Sequence, residues 1–232
     1  MGWKNRLANE TQWTSEISNR EAKEAVAKRV AALVKDGDTI GVGSGSTSFL
    51  AIEQIAKVVK EKRLNITAIP TSHEVALSCA RLGLPTASLS AARPDWCFDG
   101  ADEVDPEFNL IKGRGGAMFA EKLVMASSGK AYILVDGSKF VEKLGAKFPV
   151  PVEVDPRAVH LVETKVMEMD VNDIALRMAV EKDGPVITEA GNLILDVTFN
   201  HIGMTTEQDL NAIPGVIENG LFINYPVEIM SV

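Results

Sequence analysis

The sequence predicts a doubly wound α/β domain with a mostly parallel sheet, joined to a second, smaller α+β domain of the split-plait (ferredoxin-like) type. Three observations predict it. Short apolar runs alternate with helix-period segments through about residue 145, as in a parallel sheet covered by helices on both faces. At Phe148-Pro-Val-Pro-Val-Glu-Val154 two prolines break that alternation, and from there the order of runs becomes β-α-β-β-α-β, the split plait. The length of 232 residues suits one large domain or one domain with a smaller companion, and so leaves room for the second core that the change of order implies. The boundaries are placed at residues 1–146 with 222–232 for the first domain and 147–221 for the second.

Along the chain, residues 1–17 have no clean period and hold two of the three Trp, so they read as an arm. Ser18-Asn-Arg-Glu21 has the capping-box form and predicts a helix running to Val34, stopped by Asp36-Gly37. A buried strand is expected at 39–42, a second helix over 49–59, a strand at 66–69 and a helix over 73–82 closed by Gly83. Strands at 96–98 and 110–112 flank an acidic loop. A helix over 117–128 and a strand at 131–135 complete the first alternation. The plait is expected as a helix over 156–169, strands at 174–180 and 193–198, a helix over 206–213 and a strand over 216–222. The apolar stretch 227–230 is placed back on the main sheet.

Composition removes several classes of function. Lys plus Arg number 24 against 32 Asp plus Glu, a net charge of -8 that repels nucleic-acid backbones and anionic lipid, and no Lys/Arg run exceeds two. No nucleic-acid or membrane partner is expected, and an anionic substrate must be held by backbone amides and a few placed lysines. No apolar run approaches 18 residues, and the N-terminus does not read as a signal-peptide core. Cys79 and Cys97 lack metal-ligand spacing and lie in apolar stretches, which predicts two buried free thiols in a cytoplasmic protein. His73, His160 and His201 form no ligand pattern, so no metal is expected.

Three segments could carry chemistry. Gly41-Val-Gly-Ser-Gly-Ser-Thr47 lies between a strand and a helix, where free amides favour a phosphate. Its spacing fits neither dinucleotide nor Walker fingerprints, leaving a monophosphate cradle or a tight glycine turn with no ligand. Asp99-Gly-Ala-Asp-Glu-Val-Asp105 crowds four acids beyond a strand's carboxyl end, where ligands gather in such sheets. It reads as a ligand-hydroxyl site or as a solvated acidic turn; a magnesium site is a third option, disfavoured because a cage of this kind needs further oxygen ligands. Lys112-Gly-Arg-Gly-Gly116 ends a strand, and Glu121 falls early in the next helix, either as a base or as an acid complementing the helix dipole. Lysine, glutamate and two aspartates beside an anion cradle are the parts needed for proton abstraction next to a carbonyl.

Together these segments resemble ribose-5-phosphate isomerase of the A type, as do Asp136-Gly-Ser-Lys139, Lys147-Phe-Pro-Val-Pro-Val-Glu153, Gly191-Asn-Leu-Ile-Leu-Asp196 and Asn211-Ala-Ile-Pro-Gly-Val216. The similarity runs from about Ser18 to Phe222. It implies a cofactor-free interconversion of an aldose phosphate and a ketose phosphate. Glu121 would be the base, Lys112 the cation for the enediolate, and Asp99 and Asp102 the groups that bind sugar hydroxyls and assist ring opening. Ser44, Gly45, Ser46 and Thr47 would hold the phosphosugar, lined further by Gly100, Ala101, Gly113, Arg114 and Gly115, with Lys23 and Lys139 as basic contacts. The family also implies a homodimer or higher homo-oligomer. Arg114 stands where the family usually has Gly, so an isomerase of another phosphorylated sugar is one alternative. A non-catalytic sugar-phosphate-sensing module is the other.

Overall fold

The computed structural model describes Trp13 and Glu16–Val232; most of the arm read at residues 1–17 lies outside the described residues. In chain order the elements begin α1 (Arg20–Ala31), β1 (Thr39–Val42), α2 (Ser46–Lys62), β2 (Thr67–Pro70), α3 (His73–Leu82) and β3 (Trp96–Asp99). They continue with β4 (Glu103–Val104), β5 (Leu110–Ile111), α4 (Met118–Ser127), β6 (Ala131–Leu134), β7 (Val150–Val154) and α5 (Val159–Met167). The last are β8 (Val171–Leu176), β9 (Leu193–Phe199), α6 (Thr206–Asn211), β10 (Val216–Asn219), β11 (Leu221–Phe222) and β12 (Val227–Met230).

The chain forms two compact units. The first takes the described residues up to Gly100 with Ala120–Ser138 and Pro226–Val232; the second takes Ala101–Phe119 and Lys139–Tyr225. Residues 101–119, which the sequence boundaries put with the first domain, group with the second because β5 pairs there with β11.

The first unit is built on a five-stranded parallel sheet of order β12-β6-β3-β1-β2. From β1 the chain moves outward to β2 on one side, whereas β3 and β6 add on the other. The carboxyl ends of β1 and β3 therefore flank the switch point at which ligands enter sheets of this kind. Ile40, Val42, Trp96, Phe98, Tyr132 and Leu134 turn one face to a core shared with α1, α2 and α3. On the other face a Cβ at Gly41 would stand 2.5 Å from Val124 Cγ1 of α4. The missing side chain at Gly41 is what lets α4 lie flush on β1.

The second unit holds a four-stranded antiparallel sheet of order β10-β7-β9-β8, the strand order 4-1-3-2 of the split plait, with a three-stranded sheet β11-β5-β4. Val150, Val152 and Val154 of β7 and Val162 and Val166 of α5 share its core.

Four local expectations change. Asn19, next to the helix, is left-handed (φ 50, ψ 40) and no side chain caps α1, so Ser18 and Glu21 form no capping box. Helix α1 stops at Ala31 rather than Val34. Strand β8 lies earlier than the expected 174–180, because Val180 is apolar yet almost wholly exposed in the hairpin that follows. The single strand expected over 216–222 is cut at Gly220, where a Cβ would collide with the Lys112 carbonyl, and β11 departs to pair with β5.

Candidate active site

In the first unit, β1 runs into Gly43-Ser-Gly45 and α2 starts at Ser46. Gly45 has φ 88 and ψ 174, a turn that opens the first amides of a 17-residue helix outward. These unpaired amides and the positive helix end suit an anion. Gly43 serves a different purpose: a Cβ there would collide with the Asp99 carboxylate and stand 2.6 Å from Asp99 Cα. Asp99, at the end of β3, can thus press against the loop, and its Oδ1 accepts the Gly100 amide at 2.7 Å. Glu121 reaches the same loop from α4. Ser44 Oγ donates to Glu121 Oε1 at 2.5 Å, and the glutamate is only 5 % exposed. A buried carboxylate fixed by a hydroxyl is held in one rotamer, as a proton-transfer group must be.

Lys23 approaches from α1. Its Nζ donates to Ser46 Oγ at 3.2 Å and to Ser18 Oγ at 3.3 Å, and stands 3.9 Å from Asp136 Oδ2. Ser18 is therefore turned to the lysine rather than to its own helix. Asn19 Nδ2 and the Ser138 amide donate to Asp136 Oδ1 at 3.0 and 2.9 Å. Burial pushes the Asp136 carboxyl up, but the Ser138 and Asn19 hydrogen bonds and the Lys23 charge outweigh it, leaving it below the usual carboxylate value. A depressed folded value contributes stability above the unfolded carboxylate range, about pH 4, and that contribution is lost as pH falls through the folded value. Asp136→Asn is expected to cost about 1–3 kcal/mol at pH 7. In thermal melts from pH 7 to pH 3 the gap from wild type should narrow below about pH 4; a constant gap would show that the carboxylate's charge is not the cause.

The second unit sorts the remaining acids. Asp102 Oδ2 accepts the Arg114 amide at 3.1 Å, tying the acidic segment to the glycine turn. Glu103, fully buried, accepts the amides of Gly145, Lys147 and Phe148 at 2.7, 2.6 and 2.8 Å. Asp105 folds its own turn by accepting the Glu107 and Asn109 amides. The solvated-turn reading thus fails for Glu103, and local hydrogen bonding accounts for Asp105. Lys112, 3 % exposed, follows β5; its amide donates to Gly220 O at 2.8 Å and its Nζ lies 5.7 Å from the Phe222 ring centre. Gly113 has φ 100 and is hemmed in by Met118 and Pro151, so a side chain there is excluded twice over. Arg114 and Lys139 both set their cations over the Phe148 ring, at 5.0 and 5.8 Å.

The family model for ribose 5-phosphate isomerase A (phosphoriboisomerase A) matches residues 67–231. The chain belongs to this family. It is 45% identical to the ribose-5-phosphate isomerase A of Thermococcus kodakarensis over 206 residues, 87% of this chain and 90% of that one. Among solved structures, that of ribose 5-phosphate isomerase A from Methanocaldococcus jannaschii shares 42% identity at a TM-score of 0.88, covering 91% of this chain and 94% of that one. A D-ribose-5-phosphate isomerase in complex with phospho-erythronic acid shares 39% identity at a TM-score of 0.88, covering 92% and 95%.

Of the residues that the family resemblance singles out, the first unit brings together Ser44, Ser46, Asp99, Glu121 and Lys23, with Gly45, Thr47 and Gly100 on the same two loops. The second unit brings together Asp102, Lys112, Gly113, Arg114 and Gly115, with Ala101 beside Asp102 and Lys139 beside Arg114 on Phe148. Sequence reasoning missed Asp136, Glu103, Phe148 and Arg177. Asp136, Glu103 and Phe148 lie inside motifs that carry the resemblance; Arg177 had no distinguishing pattern. Neither cysteine is in a disulfide and both are buried, and burial, with the Glu74 charge, pushes the Cys79 thiol up to about 12, which removes it from chemistry at neutral pH. No helix among the described residues is long and apolar enough to cross a membrane.

Proposed function

We propose that this chain interconverts ribose 5-phosphate and ribulose 5-phosphate through an enediolate, with Glu121 as the base. The observation that carries the reading is the buried Glu121 carboxylate held by Ser44 Oγ at 2.5 Å, on the loop that opens the α2 amides. In the open-chain aldose, Glu121 takes the proton from C2 and returns it to C1, while a proton moves from the C2 hydroxyl to the C1 oxygen. The Lys112 ammonium offsets the negative charge that builds on the enediolate oxygens. Asp99 and Asp102 bind sugar hydroxyls, and on ring opening one of the two carboxylates takes the proton of the anomeric C1 hydroxyl and returns it to the ring oxygen as the C1–O4 bond breaks. Ser46, Thr47 and their amides hold the phosphate, with Lys23 and Lys139 adding charge, and Gly100, Ala101, Gly113, Arg114 and Gly115 line the sugar.

Phospho-erythronic acid, bound in the 39% identical relative, supports this. Its carboxylate puts two oxygens in one plane beside a hydroxyl-bearing carbon, as an enediolate intermediate does. Two buried reduced thiols suit a cytoplasmic protein, and the family resemblance favours a homodimer or higher homo-oligomer.

The protein treated with EDTA and incubated with ribose 5-phosphate is expected to form ribulose 5-phosphate at an undiminished rate, with slower turnover of other aldose 4- and 5-phosphates. Light scattering on the same sample should read above the monomer mass. Folded protein that leaves ribose 5-phosphate unchanged would overturn the reading, and turnover lost on chelation would overturn its metal-free form.

A further inference from the structure

We infer that Arg177, oriented by Asp196, is a positioning residue that fixes the Lys112–Gly116 turn and so sets where the lysine ammonium stands. The inference rests on Lys112 as the enediolate's cation.

Arg177 follows β8, and its backbone continues the ladder: its amide donates to Ile194 O at 2.9 Å and its carbonyl accepts the Val186 amide at 2.9 Å. The side chain is held from behind by Asp196 of β9, with Nε donating to Oδ2 at 2.8 Å and Nη2 to Oδ1. The remaining Nη1 reaches forward and donates to two consecutive carbonyls of the glycine turn, Gly113 O at 2.9 Å and Arg114 O at 3.0 Å. The pair is largely buried, with side chains 15% and 20% exposed.

The turn needs such a brace. Glycines at 113, 115 and 116 leave its backbone with little intrinsic preference for one conformation. The Lys112 amide is held by Gly220 O, the Arg114 amide by Asp102, and the Gly116 amide by Gly113 O at 3.0 Å. Arg177 Nη1 adds a bond to the same Gly113 carbonyl and one to the Arg114 carbonyl, tying the two together. A guanidinium suits this because its planar fork can bind a carboxylate bidentately on one edge and still donate from another. An ammonium at the end of a lysine cannot keep both sets of bonds.

The hairpin that presents Arg177 is itself anchored. Glu153 of β7, buried, accepts Thr188 Oγ1 at 2.7 Å and Asn192 Nδ2 at 2.9 Å, fixing the return turn before β9. The sequence Gly191-Asn-Leu-Ile-Leu-Asp196 thus supplies both the anchor for the hairpin and the carboxylate that aims the arginine.

The test compares Arg177→Lys, Asp196→Asn and Lys112→Met on the full chain with ribose 5-phosphate, with kcat and KM measured per folded molecule from circular dichroism and thermal melts. Arg177→Lys is expected to lower kcat about 10- to 100-fold, with KM within about threefold, because binding groups outside the turn are untouched; Asp196→Asn should show the same split, more weakly. A kcat within twofold of wild type in both variants would overturn the inference, as would a loss confined to KM or one that vanishes after correction for the unfolded fraction. An inactive Lys112→Met beside a normal Arg177→Lys would remove the positioning role and leave the isomerase reading intact. Normal turnover in Lys112→Met would remove the role of the lysine itself, and the inference with it.

Discussion

Glu121→Gln is expected to lower kcat for ribose 5-phosphate by about 10³- to 10⁴-fold while KM stays near that of wild type. Glutamine has the size of glutamate and its amide oxygen can still accept the Ser44 hydroxyl bond, now 2.5 Å long, so the loop and α4 keep their positions. What is lost is basicity. An amide does not take a carbon-bound proton at neutral pH, and a positioned general base is worth about 10²- to 10⁴-fold. The upper end is expected because the same carboxylate acts twice, removing the proton at one carbon and delivering it to the next. Exchange of substrate hydrogen with deuterated water gives a second readout, since exchange at C2 should stop together with turnover. A variant that keeps more than a tenth of wild-type kcat would assign the base to another residue.

Lys112→Met is the next largest, with an expected fall in kcat of about 10²- to 10³-fold, the cost of deleting one preorganised donor from a developing oxyanion. Methionine retains most of the lysine stem, and its thioether packs well against an aromatic ring, so the contact with Phe222 persists in apolar form. The fold should therefore hold, and the loss should fall on kcat rather than KM, because the ammonium works on charge that exists only along the reaction path. Equal losses in both constants would instead mark Lys112 as an ordinary binding group.

Much of this architecture could be read from residue order. Helix α3, closed by Gly83, falls where periodicity puts it, and β12 joins the main sheet as its short apolar run suggests. These elements succeed because each is decided locally, by a cap or by a run too apolar for the surface. The failures at the start of α1 and at Gly220 come from contacts that the local pattern does not show. Ser18 carries a capping pattern, yet Lys23 in the next turn draws Ser18, and the distant Asp136 draws Asn19, away from the helix end. The apolar run 216–222 carries no sign that Gly220 must pass against the Lys112 carbonyl. In the acidic segment four carboxylates look alike as letters; only the structure shows that Glu103 is buried against the amides of Gly145, Lys147 and Phe148 and that Asp105 folds its own turn. Arg177 is another such case, since the turn carbonyls that it binds lie 63 and 64 residues away.

The placement of β12 bears on how the protein is made. The strand that covers the open edge of β6 is synthesised only after all of Lys139–Tyr225, so the nascent chain must carry a bare parallel edge while the larger part of the second unit emerges. Pairing of β11 with the already synthesised β5 closes most of that intervening chain, so β12, a few residues beyond β11, has only a short loop left to close.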